Sequence, residues 1–341
     1  MRILVTGGAG FIGANFVHHL LHRHGSVPAD TCCPDHPRYA GDPSWDDVEV
    51  VTLDALTYAG DRDQLAPLDE HAVHRFVHGD IRDPEVVDQV LRETEPDAVV
   101  HFAAESHVDR SIESGLDFVT TNVVGTQVLL DAARRYDVAR FLHVSTDEVY
   151  GSIDDGSFTE NHPYDPSSPY SASKAGSDLL VRAHHRTYGL PVTVTRCTNN
   201  YGPRQNAEKL LPKTILRAQA GKKIPVYGDG MNVRDWLYVK DHCQAIEHVF
   251  DLPFDGSVYN IAGRTEVPNI RLIEEVLDLI GRPRGLVEFV TDRLGHDRRY
   301  SLDDSRLRST GWEPRTELAT GLAETIAWYT RSNPPITETR A

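Results

Sequence analysis

Cysteine is scarce in this chain: Cys32, Cys33, Cys197 and Cys243 are the only four among 341 residues. They make no disulfide framework, and none of them stand in the C-x-x-C spacing of a zinc site, so neither covalent staples nor a structural metal is expected. Basic residues are also outnumbered, 35 Lys plus Arg against 51 Asp plus Glu, for a formal net charge of -16. A protein that neutralises a phosphate backbone or an anionic bilayer needs the opposite balance, which argues against nucleic acid and membrane as partners. A small anionic ligand is not excluded, because a few local arginines hold a diphosphate whatever the total charge. No stretch approaches the roughly eighteen consecutive apolar residues of a membrane helix, and the opening apolar run breaks at Gly7 too early for a signal segment. The sequence reads as that of a soluble, cytoplasmic protein in a reducing compartment.

What is present is enough apolar material, 40% of the chain, for one large core or two packed lobes. Up to about residue 197, short β-rich runs at 3–6, 48–53, 75–78, 98–102, 140–144 and 192–196 alternate with amphipathic stretches at 12–23, 83–92, 119–135 and 171–188. That alternation builds βαβ units, so the fold class is α/β with a doubly wound parallel sheet. After Asn200 the texture changes to Pro- and Gly-punctuated segments with further helices at 270–280 and 318–329, the material of a smaller lobe. Strand-like 235–239 and 258–261 are read as returning to the first lobe, which makes the boundary interleaved. The division is therefore 1–198 plus about 232–264 for the first lobe, about 199–231 plus 265–334 for the second, and a tail at 335–341. The polar, aperiodic segment 25–47 reads as a surface insertion.

Gly7-Gly8-Ala9-Gly10-Phe11-Ile12-Gly13 follows the first strand and opens the first helix. Glycines there let backbone approach a pyrophosphate, and the free N–H groups and dipole of the helix start favour its charge. The acidic residue for the adenosine ribose has two candidates. Asp30 has the usual spacing but follows no strand, whereas Asp54 ends the second strand and is taken as the ribose ligand; a carboxylate there repels a 2′-phosphate and favours NAD over NADP. Asp80 reads equally as a contact to the adenine edge or as a loop or cap aspartate.

Tyr170 and Lys174 stand four residues apart, on one helix face. No lysine precedes Lys174, and an ammonium beside a phenol lowers its pKa, equipping Tyr170 to take a proton from a sugar hydroxyl. Thr146-Asp147-Glu148 ends the fifth strand at the edge where sites of this fold lie. Two adjacent carboxylates reach one pocket only if the chain has already turned there. If both do, their charges separate the two titrations into one acid and one base.

These segments, with 103–111, 199–203, 227–230 and 295–300, run nearly end to end and in order. Together they resemble the extended short-chain dehydrogenases, and within them the sugar-nucleotide 4,6-dehydratases. The resemblance implies tightly bound NAD, regenerated each turnover, and dTDP-glucose as substrate, oxidised at carbon 4, dehydrated across carbons 5 and 6, and reduced at carbon 6. It implies Tyr170 as base at the 4-hydroxyl, Thr146 sharing that hydrogen bond, and Lys174 on the nicotinamide ribose. Glu148 then takes the carbon 5 proton and Asp147 protonates the leaving 6-hydroxyl. Around the cofactor it implies Gly7, Gly10, Phe11, Ile12, Gly13, Asp54, Ala55, Leu56, Thr57, Asp80, Ile81, Phe102, Ala103, Ala104, Ser106, Thr121 and Asn200. Around the substrate it implies Ser106, Asn199, Lys209, Leu210, Pro225, Tyr227, Arg234, Asn269, Arg293, His296 and Tyr300. A diphosphate suits Arg234 and Arg293, and a base stacks on Tyr227. The resemblance further implies a homodimer joined by a four-helix bundle of 119–135 and 171–188. Two rivals are a nucleotide-sugar 4-epimerase, which has no use for Asp147 and Glu148 as a dehydrating pair, and a silent NAD-binding regulator, which has no reason to keep the whole constellation.

Overall fold

Arg2–Thr6 forms strand β1, in which Ile3, Leu4, Val5 and Thr6 are all fully buried. Unbroken burial, rather than alternation, marks a strand covered on both faces of a parallel sheet. The computed structural model describes residues 1–23 and 48–332. The proposed insertion with Asp30, Cys32 and Cys33, and the tail at 335–341, lie outside the described residues. Further strands follow as β2 Glu49–Asp54, β3 His74–His78, β4 Ala98–His101, β5 Arg140–Thr146 and β6 Val192–Cys197. Then come β7 Asn199–Tyr201, β8 Ile224–Tyr227, β9 Val233–Tyr238, β10 Val258–Ile261, β11 Glu266–Pro268 and β12 Val287–Val290.

Seven strands make the central sheet in the order β10-β6-β5-β4-β1-β2-β3, all pairs parallel. The doubly wound reading therefore holds. Ile3 and Val5 pack into one apolar layer with Phe16, Leu20, Val239 and Ile246, and Leu4 into the opposite layer with Val87, Leu91, Leu129 and Val181. Period-two alternation along β1 thus feeds two cores, each roofed by helices. The Phe11–Arg23 and Val239–Phe250 helices lie on one face, and Pro84–Thr94, Thr126–Arg135 and Pro169–Tyr188 on the other. The strand order reverses between β1 and β4, and the crevice outside their carboxyl ends is where such sheets bind ligands.

The two late strand-like segments part company. Val258–Ile261 joins the central sheet beside β6, whereas β9 pairs parallel with β7 and antiparallel with β11 in a separate three-stranded sheet. Around that small sheet Tyr201, Trp236, Leu272 and Leu322 form a third core with the helices Leu210–Gln219, Asn269–Ile280 and Leu318–Ser332. A parallel pair, β8 and β12, completes this region.

Candidate active site

The glycine turn is packed so tightly that Gly7 and Gly13 admit no side chain. Gly7 has φ +71°, and a Cβ on it would lie 2.6 Å from the backbone N of Ala103; one on Gly13 would lie 2.2 Å from the Gly7 carbonyl oxygen. The turn is pinned from the second strand: Asp54 accepts the N–H of Ala9 through Oδ2 at 2.9 Å and that of Leu56 through Oδ1 at 2.8 Å. Burial raises the pKa of Asp54, and these two N–H groups oppose the rise.

A cleft of about 300 Å³ opens over this turn. Gly7, Gly10, Phe11, Ile12, Gly13, Asp54, Ala55, Thr57, Asp80, Ile81, Phe102, Ala103, Ala104, Ser106, Thr121 and Asn200 line it, as the sequence reading has them. Leu56 does not line it; at φ +50° its part is the N–H given to Asp54. Asp80 lines the cleft with its carboxylate forked by Arg82 Nε and Nη2 at 2.9 and 2.6 Å, and the cap of the following helix is Asp83 instead. A glycine cradle on a helix start, with a carboxylate at the end of the second strand, fits a dinucleotide.

Thr121 reaches the cleft from a π-helical segment, Val119–Gly125, where the sequence pattern predicts ordinary helix. Asn122 explains the wide turn: its side chain bonds the N–H and C=O of Glu105 at 2.8 and 3.0 Å and Ser173 Oγ at 2.8 Å, gripping the neighbouring loop and helix.

At the end of β5 the chain does turn, into a 3-10 turn at Asp147–Tyr150. Both carboxylates therefore line the one cleft. Their surroundings differ. Asp147 is 2% exposed, accepts Thr146 Oγ1 at 3.2 Å, and has no hydrogen-bond partner for Oδ2 among the described residues. Burial, reinforced by Glu148, raises its pKa well above the carboxylate range. Burial also raises Glu148, but Arg293, Arg234 and Lys209 pull it back down.

Tyr170 and Lys174 lie in the first turns of Pro169–Tyr188, set by a capping box in which Ser168 and Ser171 bond each other's backbone. Lys174 Nζ donates to the Val144 carbonyl at 2.9 Å, and burial lowers its pKa to about 8, against the pull of Asp178 and Cys197. The expectation that this ammonium depresses the phenol is not met. Burial and then the charge of Glu148 hold Tyr170 well above a normal tyrosine, partly offset by a hydrogen bond with Thr146.

Of the substrate-side candidates, Ser106, Asn199 and Lys209 line the cleft, and Lys209 Nζ donates to the Ser106 carbonyl at 2.8 Å. Arg234, Arg293 and Tyr300 do not line it but lie near enough to act electrostatically on Glu148 or on both carboxylates. Arg234 stacks over Tyr300 at 4.2 Å and gives two donors to the carbonyls of Val233 and Asp297. Tyr227 and His296 meet edge to face at 6.2 Å. Leu210 packs into the third core, Pro225 pairs with Glu288 in the β8–β12 ladder, and Asn269 leads its helix with a buried Oδ1 lacking a partner among the described residues. These three sit outside the cleft lining.

Sequence reasoning misses Glu105, Cys197, Gln205 and Asn206, which also line the cleft. It also misses Asp109, which accepts Tyr227 Oη at 3.1 Å and faces Arg293 Nη1 at 3.5 Å, so that one carboxylate holds two substrate-side candidates. Glu105 and Asp109 stand in the quoted 103–111 segment, which is the signal that could have found them. Asn206 offers no such pattern.

A family model described as GDP-mannose 4,6 dehydratase matches residues 42–325. The low-salt glycan biosynthesis protein Agl12 of Haloferax volcanii is 50% identical, over 96% of this chain and 98% of its own length. A dTDP-glucose 4,6-dehydratase from an Actinoplanes species is 49% identical, over 96% of this chain and 98% of its own. The crystal structure of DesIV, a dTDP-glucose 4,6-dehydratase from Streptomyces venezuelae with NAD bound, superposes with a TM-score of 0.89 at 51% identity, covering 98% of each chain.

Proposed function

From the premise that this chain belongs to the GDP-mannose 4,6-dehydratase family, we propose that it dehydrates a nucleotide sugar, and specifically dTDP-glucose. It is an NAD-dependent hydro-lyase that yields dTDP-4-keto-6-deoxyglucose and water. The observation that carries the reading is the difference between Asp147 and Glu148: adjacent carboxyls in one cleft, the first buried with an Oδ2 unpartnered among the described residues and pushed well up by burial and by Glu148, the second raised by burial against the pull of Arg293, Arg234 and Lys209. Two neighbouring carboxyls in such different surroundings suit one acid and one base.

NAD, when bound, supplies a hydride acceptor at carbon 4 and a donor at carbon 6 within one turnover. Gly7, Gly10 and Gly13 would leave room for its pyrophosphate, Asp54 would hold the adenosine ribose, and Lys174 the nicotinamide ribose. Tyr170 takes the proton of the 4-hydroxyl as its phenolate, the form that the positive charges of bound NAD and of Lys174 would favour over the neutral phenol of the empty cleft, with Thr146 as second partner. A 4-ketone acidifies carbon 5, so Glu148 removes that proton while Asp147 delivers one to the 6-hydroxyl; the C6–O bond breaks and water leaves. Arg234 and Arg293 hold the diphosphate, Tyr227 the base.

The division into a cofactor lobe, 1–198 plus about 232–264, and a sugar-nucleotide lobe, about 199–231 plus 265–334, belongs to this reading, as does a cytoplasmic location. No described helix is long and apolar enough to cross a membrane. We also propose a homodimer. Leu116, Val119, Val124, Leu179 and Tyr188 are 70%, 46%, 47%, 52% and 55% exposed on the segments 116–135 and 169–188, an apolar stripe that a second copy would cover as a four-helix bundle.

The test is mass spectrometry of the product from dTDP-glucose in deuterated water, with UDP-glucose run beside it. Loss of one water with a single solvent deuteron at carbon 5 is expected. Unchanged glucose, or dTDP-galactose, would return the chain to another substrate or to epimerase chemistry.

A further inference from the structure

Directly behind the cleft lies a buried ion pair that no step of the reaction uses. Arg196 on β6 is 1% exposed and Asp178 on Pro169–Tyr188 is 0%, and Arg196 Nε donates to Asp178 Oδ2 at 2.9 Å. Two ions in a core cost several kcal/mol each in desolvation, and apolar residues of similar volume commonly serve stability as well or better. Packing alone gives no reason for the pair.

Its contacts do. Asp178 follows Lys174 by one turn on the helix that begins with Tyr170, and its Oδ1 faces His143 Nε2 on β5 at 3.3 Å. Arg196 lies between two rings, 4.8 Å from that of Tyr150 and 4.7 Å from that of Tyr164, and Nη1 donates to Tyr150 Oη at 2.5 Å. Tyr150 is the last residue of the turn that carries Asp147 and Glu148. Its hydroxyl in turn donates to Asn260 Oδ1 on β10 at 3.0 Å, so the turn is anchored two strands deep.

We infer that Arg196 and Asp178 are positioning residues: their ion pair clamps the turn bearing Asp147 and Glu148 to the helix bearing Tyr170 and Lys174, fixing the spacing of the two catalytic pairs. The inference rests on the dehydratase reading of the cleft. A second effect follows from the same carboxylate. Facing Lys174 are His101 on β4, His143 on β5 and Cys197 on β6, with Tyr170 and Asp178 on its own helix. Burial keeps His101 well below its usual range and His143 at about 4, and pushes the Cys197 thiol up to about 12, so these three are neutral at pH 7. Tyr170 is a neutral phenol, and Asp147 and Glu148 act on it from the turn. Burial also opposes charge on Asp178, but Arg196, His143 and Ser145 hold it at about 2, leaving it the negative partner that supports the lysine charge.

The experiment removes both charges at once with Asp178→Leu/Arg196→Met, beside Arg196→Lys. Three quantities are read: thermal unfolding, amide hydrogen exchange of residues 147–151 without substrate, and the pH profile of kcat and KM on dTDP-glucose. The double variant is expected to unfold within a few degrees of the wild type, with faster exchange in the turn. Its kcat should fall by roughly 100-fold at little change in KM, the scale of an ångström of misplacement, and its alkaline limb should move to lower pH. Arg196→Lys keeps the charge and loses the fork to the tyrosines, so its turn exchanges faster while the alkaline limb stays in place. Wild-type turn exchange and wild-type kcat in the double variant would overturn the clamp. If the double variant does not fold, the same two results in Arg196→Lys decide. Failure of the dehydratase reading would look different: a wild-type protein that leaves dTDP-glucose intact, with turn exchange still responding to the substitutions.

Discussion

Thr146 Oγ1 accepts the backbone N–H of Glu148 at 3.3 Å while donating to Asp147 Oδ1 at 3.2 Å, so a single hydroxyl organises both carboxylates. It caps the turn that brings them to one side of the chain.

Thr146→Val keeps the shape and deletes the hydroxyl. Loss of the cap is expected to cost about 1 kcal/mol of stability, and kcat/KM to fall at least tenfold, the worth of roughly 1.4 kcal/mol in the transition state. Thr146→Ser should restore most of both. Thermal unfolding and steady-state kinetics on the three proteins check this.

The two carboxylates should fail differently. Glu148→Gln is expected to abolish exchange of the sugar's carbon 5 proton with deuterated water. Asp147→Asn should retain that exchange while water loss slows by about 100- to 10,000-fold, the usual reach of a general acid. Nuclear magnetic resonance of the recovered nucleotide sugar separates the two steps, and normal product formation by Asp147→Asn would remove it from its role.

Lys174 is an expensive residue for the fold. Burial lowers it from 10.5 to about 8, so the unfolded chain binds more protons than the folded one between those values, and wild-type stability rises with pH across that window. Below pH 8 the full cost of the buried ammonium is present. Lys174→Met should therefore be inactive yet more stable at pH 7, by an amount on the order of 3 kcal/mol, and its advantage should shrink toward pH 10.5. Chemical denaturation of the cofactor-free proteins at pH 7, 9 and 10 would show it.

A second copy covering the exposed stripe predicts a sharp response to charge. Leu116→Glu with Leu179→Glu places carboxylates at positions 70% and 52% exposed, where they cost the monomer little but would be buried, with like charges brought together, if a second copy covers the stripe. Sedimentation velocity should show a dimer for the wild type and a monomer for the variant; an unchanged wild-type monomer would refute the bundle.

The alternation of short β-rich runs with amphipathic ones is a local property, and it placed six strands and the helices between them. The glycine turn and the Tyr170/Lys174 spacing were legible for the same reason, since backbone clearance and helix periodicity act within a few residues. What the sequence withheld depends on distant neighbours. Whether 235–239 joins the large sheet is decided by pairing with β7 and β11, not by its own composition. The direction of the Tyr170 shift depends on how deeply it is enclosed and on Glu148, which spacing does not report. Asn122 turned an unremarkable helical pattern into a π segment through bonds to Glu105 and Ser173, contacts invisible until the loop and helix are in place.

The placement of β10 beside β6 bears on how the chain is made. A polypeptide leaving the ribosome presents β1 through β6 first, and the outer margin of β6 then stands as an open row of hydrogen-bonding groups until Val258–Ile261 has been synthesised. The intervening residues supply β7, β8, β9 and the helices Leu210–Gln219 and Val239–Phe250, while β11 and the remaining helices of the small sheet come later still. A chain that ends before residue 258 would therefore leave that margin open as a template on which another such chain could pair.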